Sequence, residues 1–188
     1  MKFTSIAVIV GAAVCTLVMS GCAGVATPYS PSIANVSTLK ANGNEPISIG
    51  AFTVQASLAT ATTLMVRASP MTSPVGKDYA AYVSDALRKE VELASRLNPG
   101  SKLEISGVLV GNEIDAAIVK GTAAIQVQFV VRRDGVVRFD KVKRGAIEWE
   151  SSFAGAVAIP KAGQSYPLVV QALLTSLYAD PDFLAALR

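Results

Sequence analysis

The chain has 188 residues, enough for one domain of ordinary size, and a net charge of +3. It contains no histidine, so the commonest general base and the commonest zinc ligand are both missing, and no metal or cofactor is expected. Nor does any arginine- and lysine-rich stripe accompany the slight basic excess, which argues against a nucleic-acid binder.

The first residues read as an export leader. Met1, Lys2 and Phe3 give a positively charged start, and Ile6 to Val18 is apolar apart from Thr16. That run is too short to span a bilayer comfortably, which takes about 20 apolar residues. It leads into Met19-Ser20-Gly21-Cys22, where small side chains fit a peptidase cleft and a thiol follows at once. The sequence predicts cleavage between Gly21 and Cys22. Removing the leader takes away one basic residue, Lys2, and leaves 16 basic against 14 acidic side chains. It also removes Cys15, so Cys22 has no internal disulfide partner.

Residues 22–45 are rich in Ala, Ser, Thr, Asn, Pro and Gly, a composition that predicts a flexible tether ahead of a single domain over 46–188. A first strand is expected from Ile47 to Val54, changing face near its end, and a weaker one from Thr62 to Arg67. Ser69 to Pro74 reads as a loop. Tyr79, Tyr82, Val83, Ala86, Leu87, Val91, Ala94 and Leu97 then recur at helical spacing, which predicts a helix over 77–97 stopped by Asn98-Pro99-Gly100.

Three strands follow. Leu103 to Val110 alternates, and so does Ala123 to Arg133, with Ile125, Val127, Phe129 and Val131 opposite Gln126, Gln128 and Arg132. Asp134-Gly135 signals a tight hairpin. The return strand, Val136 to Glu150, breaks alternation at Val137, Phe139, Lys141 and Lys143, as a bulge or an edge would. Residues 151–163 read as a mobile link and 165–178 as a second helix. Asp182 is placed to cap a last turn carrying Phe183, Leu184 and Leu187. These elements make an α+β domain, a two-layer sandwich in which two helices cover a mainly antiparallel sheet of four to five strands.

Ser20-Gly21-Cys22 resembles the lipobox of bacterial lipoproteins, with Met19 departing from the usual leucine. That resemblance implies a diacylglycerol thioether on Cys22 and a lipid anchor; Ala23, where an aspartate would resemble the inner-membrane retention signal, implies the outer membrane of a Gram-negative cell, with the domain in the periplasm. The early strand, the phrase Tyr82-Val83-Ser84-Asp85-Ala86-Leu87 and the strand Leu103-Glu104-Ile105-Ser106-Gly107 make the rest similar to small YajG-like and transport-auxiliary lipoproteins. Their fold resembles the N-terminal domain of TolB and the curli secretion lipoprotein. The resemblance implies a non-catalytic accessory protein docking on another envelope protein, and it brings no catalytic residues.

The residues agree. The one Ser-x-x-Lys spacing after the leader, Ser37 to Lys40, lies in the expected tether, and Glu113 with Asp115, or Glu148 with Glu150, read as solvated strand positions. The densest basic cluster, Arg132, Arg138, Lys141, Lys143 and Arg144, is the candidate interaction surface, and an aggregation-resistant edge strand is its plainer explanation. Trp149 is expected in the core. The alternative function is a carrier holding a lipid or other apolar ligand between sheet and helices.

Overall fold

A computed structural model describes residues 24–188; the leader, the cleavage point and Cys22 lie outside the described residues. The main sheet has four strands: β2 (Ser48–Val54), β5 (Leu103–Ala116), β6 (Lys120–Arg133) and β7 (Val136–Glu150), in the order β2-β5-β6-β7. β5, β6 and β7 form the expected antiparallel meander. β2 runs parallel to β5, and helix α2 (Tyr79–Leu93) lies in the long crossover connection that a parallel pair needs. A register shift between Ile49 and Phe52 is the change of face expected in the first strand. Asp134 and Gly135 both take positive φ, 51° and 81°, in the tight β6–β7 turn.

A second, small sheet was not expected. β3 (Thr63–Val66) and β4 (Ser69–Thr72) pair as a hairpin, so most of the segment read as a loop is strand, and β1 (Gly24–Val25) adds to β4 in parallel.

Alternation decides which face of the main sheet is covered. Ile105, Leu109, Ile125, Val127, Phe129 and Val131 are fully buried under α2 and α3 (Gly155–Tyr178). A second register shift, between Leu109 and Gly111, turns Asn112 inward. Its buried amide is satisfied there: Tyr166 Oη donates to Asn112 Oδ1 at 2.9 Å, and Nδ2 donates to the Thr60 carbonyl at 3.3 Å. Tyr166 in turn packs against Tyr79 and Tyr82, with ring centroids 4.8 and 5.5 Å away.

Residues 24–45 are not a free tether. Helix α1 (Ile33–Ala41) forms there, capped by Ser32, and Tyr29, Asn35 and Leu39 are buried. The reason is a polar hub that composition does not show. Glu90, fully buried on α2, accepts from Tyr29 Oη at 2.5 Å, Ser32 N at 3.0 Å and Asn35 Nδ2 at 3.3 Å. The buried Arg96 guanidinium donates to the Leu39, Glu45 and Leu187 carbonyls, tying the C-terminal end of α1 to the end of the chain. Pro167 supplies a further tie. It lies inside α3 and has no N–H for the Gly163 carbonyl one turn back, and that carbonyl accepts from Thr27 N at 3.1 Å instead.

Glu90→Ala should therefore release the segment. Two donors, Tyr29 Oη and Ser32 N, lose their acceptor at about 1–3 kcal/mol each, while Asn35 Nδ2 keeps the Gln171 carbonyl, so a loss of about 2–6 kcal/mol is expected. Hydrogen exchange should show protection lost first across 24–45, with the main sheet still protected.

The other differences are local. α3 starts at Gly155, ten residues before the expected helix, so most of the segment read as a mobile link is helical. Pro160 and Pro167 hide this start from a propensity argument, since each removes one intrahelical bond. Asp180, not Asp182, caps the last helix, α4 (Pro181–Ala186), accepting from Asp182 N at 3.0 Å.

Candidate interaction surface

β7 lies at the edge of the sheet, as its irregular pattern implied, and a bulge between Val131 and Arg132 leaves Arg138 out of register. This divides the candidate basic cluster. Lys141 and Lys143 fall in register with the inward residues Phe129 and Val127, and turn toward α4. Lys143 Nζ is 3.1 Å from Asp180 Oδ2, and Lys141 Nζ is 2.7 Å from Asp182 Oδ2 and 3.3 Å from Asp180. Lys141 also lies over the Phe139 ring, 5.5 Å from its centroid. The hydrogen bond that Lys141 donates to Asp182 leads its upward shift. Burial pushes the Asp180 carboxyl up, but Lys143, the Asp182 N–H and Lys141 outweigh it and hold the group below its usual range. These two lysines fasten α4 to the sheet edge.

The other three do not share a patch. Arg132 donates to Ser106 Oγ at 3.1 Å, and Arg144 sits opposite Gln126, toward the far end of the strands; both lie on the uncovered face, and Arg138 is exposed at the hairpin.

That uncovered face is the more distinctive surface. Across it run Val108, Gln128 and Val142 in one row and Ser106, Val130 and Asp140 in the next. Val142 is 54% exposed. Toward one end, Ala124 and Ala146 pair across β6 and β7, and their small side chains leave a cleft of about 440 Å³. Glu113, Asp115, Thr122, Arg144 and Glu148 surround it. The structure thus brings Glu113, Asp115 and Glu148 around one cleft, while Glu148 pairs with Lys120 at 2.5 Å. Among the described residues no three ligating side chains are placed to hold a metal ion.

Trp149 is half-buried over Gly121, at the end of the covered face. Sequence reasoning placed Gln126, Gln128 and Arg132 on the wetter side. It missed the valines between them, because Val130 and Val142 carry no polar signal and their direction depends on register.

No protein-family model matches this chain, and no curated protein is significantly similar to it. Among solved structures, it is similar to the protein XCC0632 from Xanthomonas campestris, assigned to the family DUF330. The two share 13% identity over 81% of this chain and 90% of that one, with a TM-score of 0.55. The likeness is one of fold. A hypothetical protein from Chlamydia trachomatis, CT253, aligns with 8% identity over 68% of this chain and 92% of its own, at a TM-score of 0.38.

Proposed function

We propose that this chain is a non-catalytic lipoprotein of the YajG-like or transport-auxiliary kind, anchored in the outer membrane through acylated Cys22. Its domain faces the periplasm and docks on another envelope protein through the uncovered face of the main sheet. The observation that carries the docking step is that face itself. Long strands expose valines interleaved with glutamines, and no described element packs on them. β7 adds an unpaired edge, along which a partner strand could extend the sheet. For the anchor, the support is the lipobox-like Ser20-Gly21-Cys22. The carrier reading has less support. The space it needs between sheet and helices is filled by Phe129, Val131, Leu87, Val169, Val170 and Leu173, all fully buried.

Two measurements test this in intact cells. Cys22→Ser should leave the domain folded and move it from the membrane fraction to the soluble one; unchanged retention would refute the anchor. A photocrosslinker at Val142 should capture a protein partner and one at Arg88, exposed on α2, should not. Equal capture from both positions would remove the sheet face as the docking site.

A further inference from the structure

One end of the domain exposes large apolar side chains on two adjoining connections. Ile118 and Val119, at the β5–β6 turn, are 58% and 80% exposed, Phe153 between β7 and α3 is 83% exposed, and Val157 follows in the first turn of α3. Scattered exposed apolar residues are ordinary; a phenylalanine and three aliphatic side chains at one tip are not.

Several backbone carbonyls of this tip are paired from within. Arg67, at the β3–β4 turn, is spent on carbonyls: Nε donates to Ala116 O at 2.5 Å, Nη2 to Ala117 O at 3.0 Å and Ser152 O at 2.5 Å, and Nη1 to Phe153 O at 3.0 Å. The Val119 carbonyl accepts from Ser151 N at 2.9 Å. Carbonyls paired within the protein cost less to carry toward the hydrocarbon, where no water is present to pair them.

The N-terminal end of the packed chain points the same way. β1 is parallel to β4, with Gly24 opposite Met71, and β4 starts next to the Arg67 turn. Gly24 and Val25 also border a cleft with Ile159 and Pro160, in the first turns of α3. Two residues span at most about 7 Å, so Cys22 can lie no farther than that from Gly24. Because residues 24–45 are packed, an anchor there holds the domain in one orientation instead of letting it swing.

We propose that this apolar tip dips into the lipid surface that receives the acyl chains, so that the domain meets the bilayer at two places. This rests on the acylation of Cys22 proposed above. The tip fixes which way the domain faces: the uncovered sheet face stands beside the membrane, not against it.

The full-length acylated protein tests this, purified from its host and reconstituted into phosphatidylethanolamine and phosphatidylglycerol vesicles with brominated acyl chains. Trp149→Phe with Phe153→Trp places the only tryptophan at the tip, and Trp149→Phe with Val136→Trp places it at the β6–β7 hairpin, joined to the opposite ends of those strands. The first should shift to the blue and lose most of its emission to bromine; the second should do neither. Emission unchanged at position 153, in protein that remains with the vesicles, overturns the tip while leaving the anchor standing, and assigns the patch to a protein. Trp149→Phe with Val119→Trp repeats the reading from an independent position. A mass showing Cys22 unmodified, with the chain absent from the vesicles, removes both.

Discussion

Gly145→Val should leave the chain unfolded, and Gly145→Ala should cost about 3 kcal/mol, the upper end for overpacking one atom. Gly145 lies on β7 on the covered face, directly beneath α3. A β-carbon there would stand 2.4 Å from Leu173 N and 2.5 Å from the Val169 carbonyl oxygen. Both are helix backbone, so no rotamer change makes room; α3 itself would have to rise. It cannot do so locally, because Val169, Val170, Leu173, Leu174 and Leu177 are fully buried along the same helix. A domain of this size holds about 5–15 kcal/mol in all, so the larger valine takes a large share of it. Urea titration of both variants checks the prediction. Gly155→Ala is the control, because its β-carbon would meet only Ile159 Cδ1, at 3.8 Å. Equal midpoints for Gly145→Ala and Gly155→Ala would show that α3 does not sit as closely as described.

The alternation of Ile125, Val127, Phe129 and Val131, the helical stripe from Tyr79 to Val91 and the Asp134-Gly135 turn each carry a local signal, and each formed as expected. The edge position of β7 was readable for the same reason, since its pattern departs from a two-sided strand. What failed was decided at long range. Residues 24–45 look like a linker because Ala, Ser, Thr and Asn rarely build a core, yet the segment packs through bonds to Glu90, Gly163 and Arg96, which lie far along the chain. Glu90 was invisible because a charged residue in an amphipathic helix is ordinarily solvated. The start of α3 was masked by two prolines.

The candidate site shows the same division. Five basic residues close in sequence made one cluster on paper. Strand geometry sends Lys141 and Lys143 to the α4 side and Arg132 and Arg144 to the uncovered face, and only register, with its bulge at Arg138, says which goes where. The exposed tip gave no periodic signal at all: Ile118, Val119 and Phe153 belong to two connections separated by the whole of β6 and β7.

Raising the pH past 10 should unfold the protein in one steep step, with all five tyrosines ionising together. Tyr29, Tyr79, Tyr82, Tyr166 and Tyr178 are each 4% exposed or less, and burial leads the upward shift of every one. Tyr29 is pushed further by its hydrogen bond to Glu90. In the unfolded chain a tyrosine loses its proton near pH 10; in the folded one it keeps it. The folded state therefore holds more protons above that pH, and stability that is complete below it falls as pH rises. With five such groups the slope approaches about 7 kcal/mol per pH unit, enough to cancel a typical domain's stability within about two units. Tyrosinate absorbance should stay flat through pH 10 and then rise in step with the loss of circular dichroism; in urea it should rise at the ordinary value. The same curve tests the docked N-terminal segment. Were residues 24–45 a loose tether, Tyr29 would titrate alone and early, one fifth of the signal before any loss of fold, and an anchor at Cys22 would no longer dictate how the domain meets the membrane.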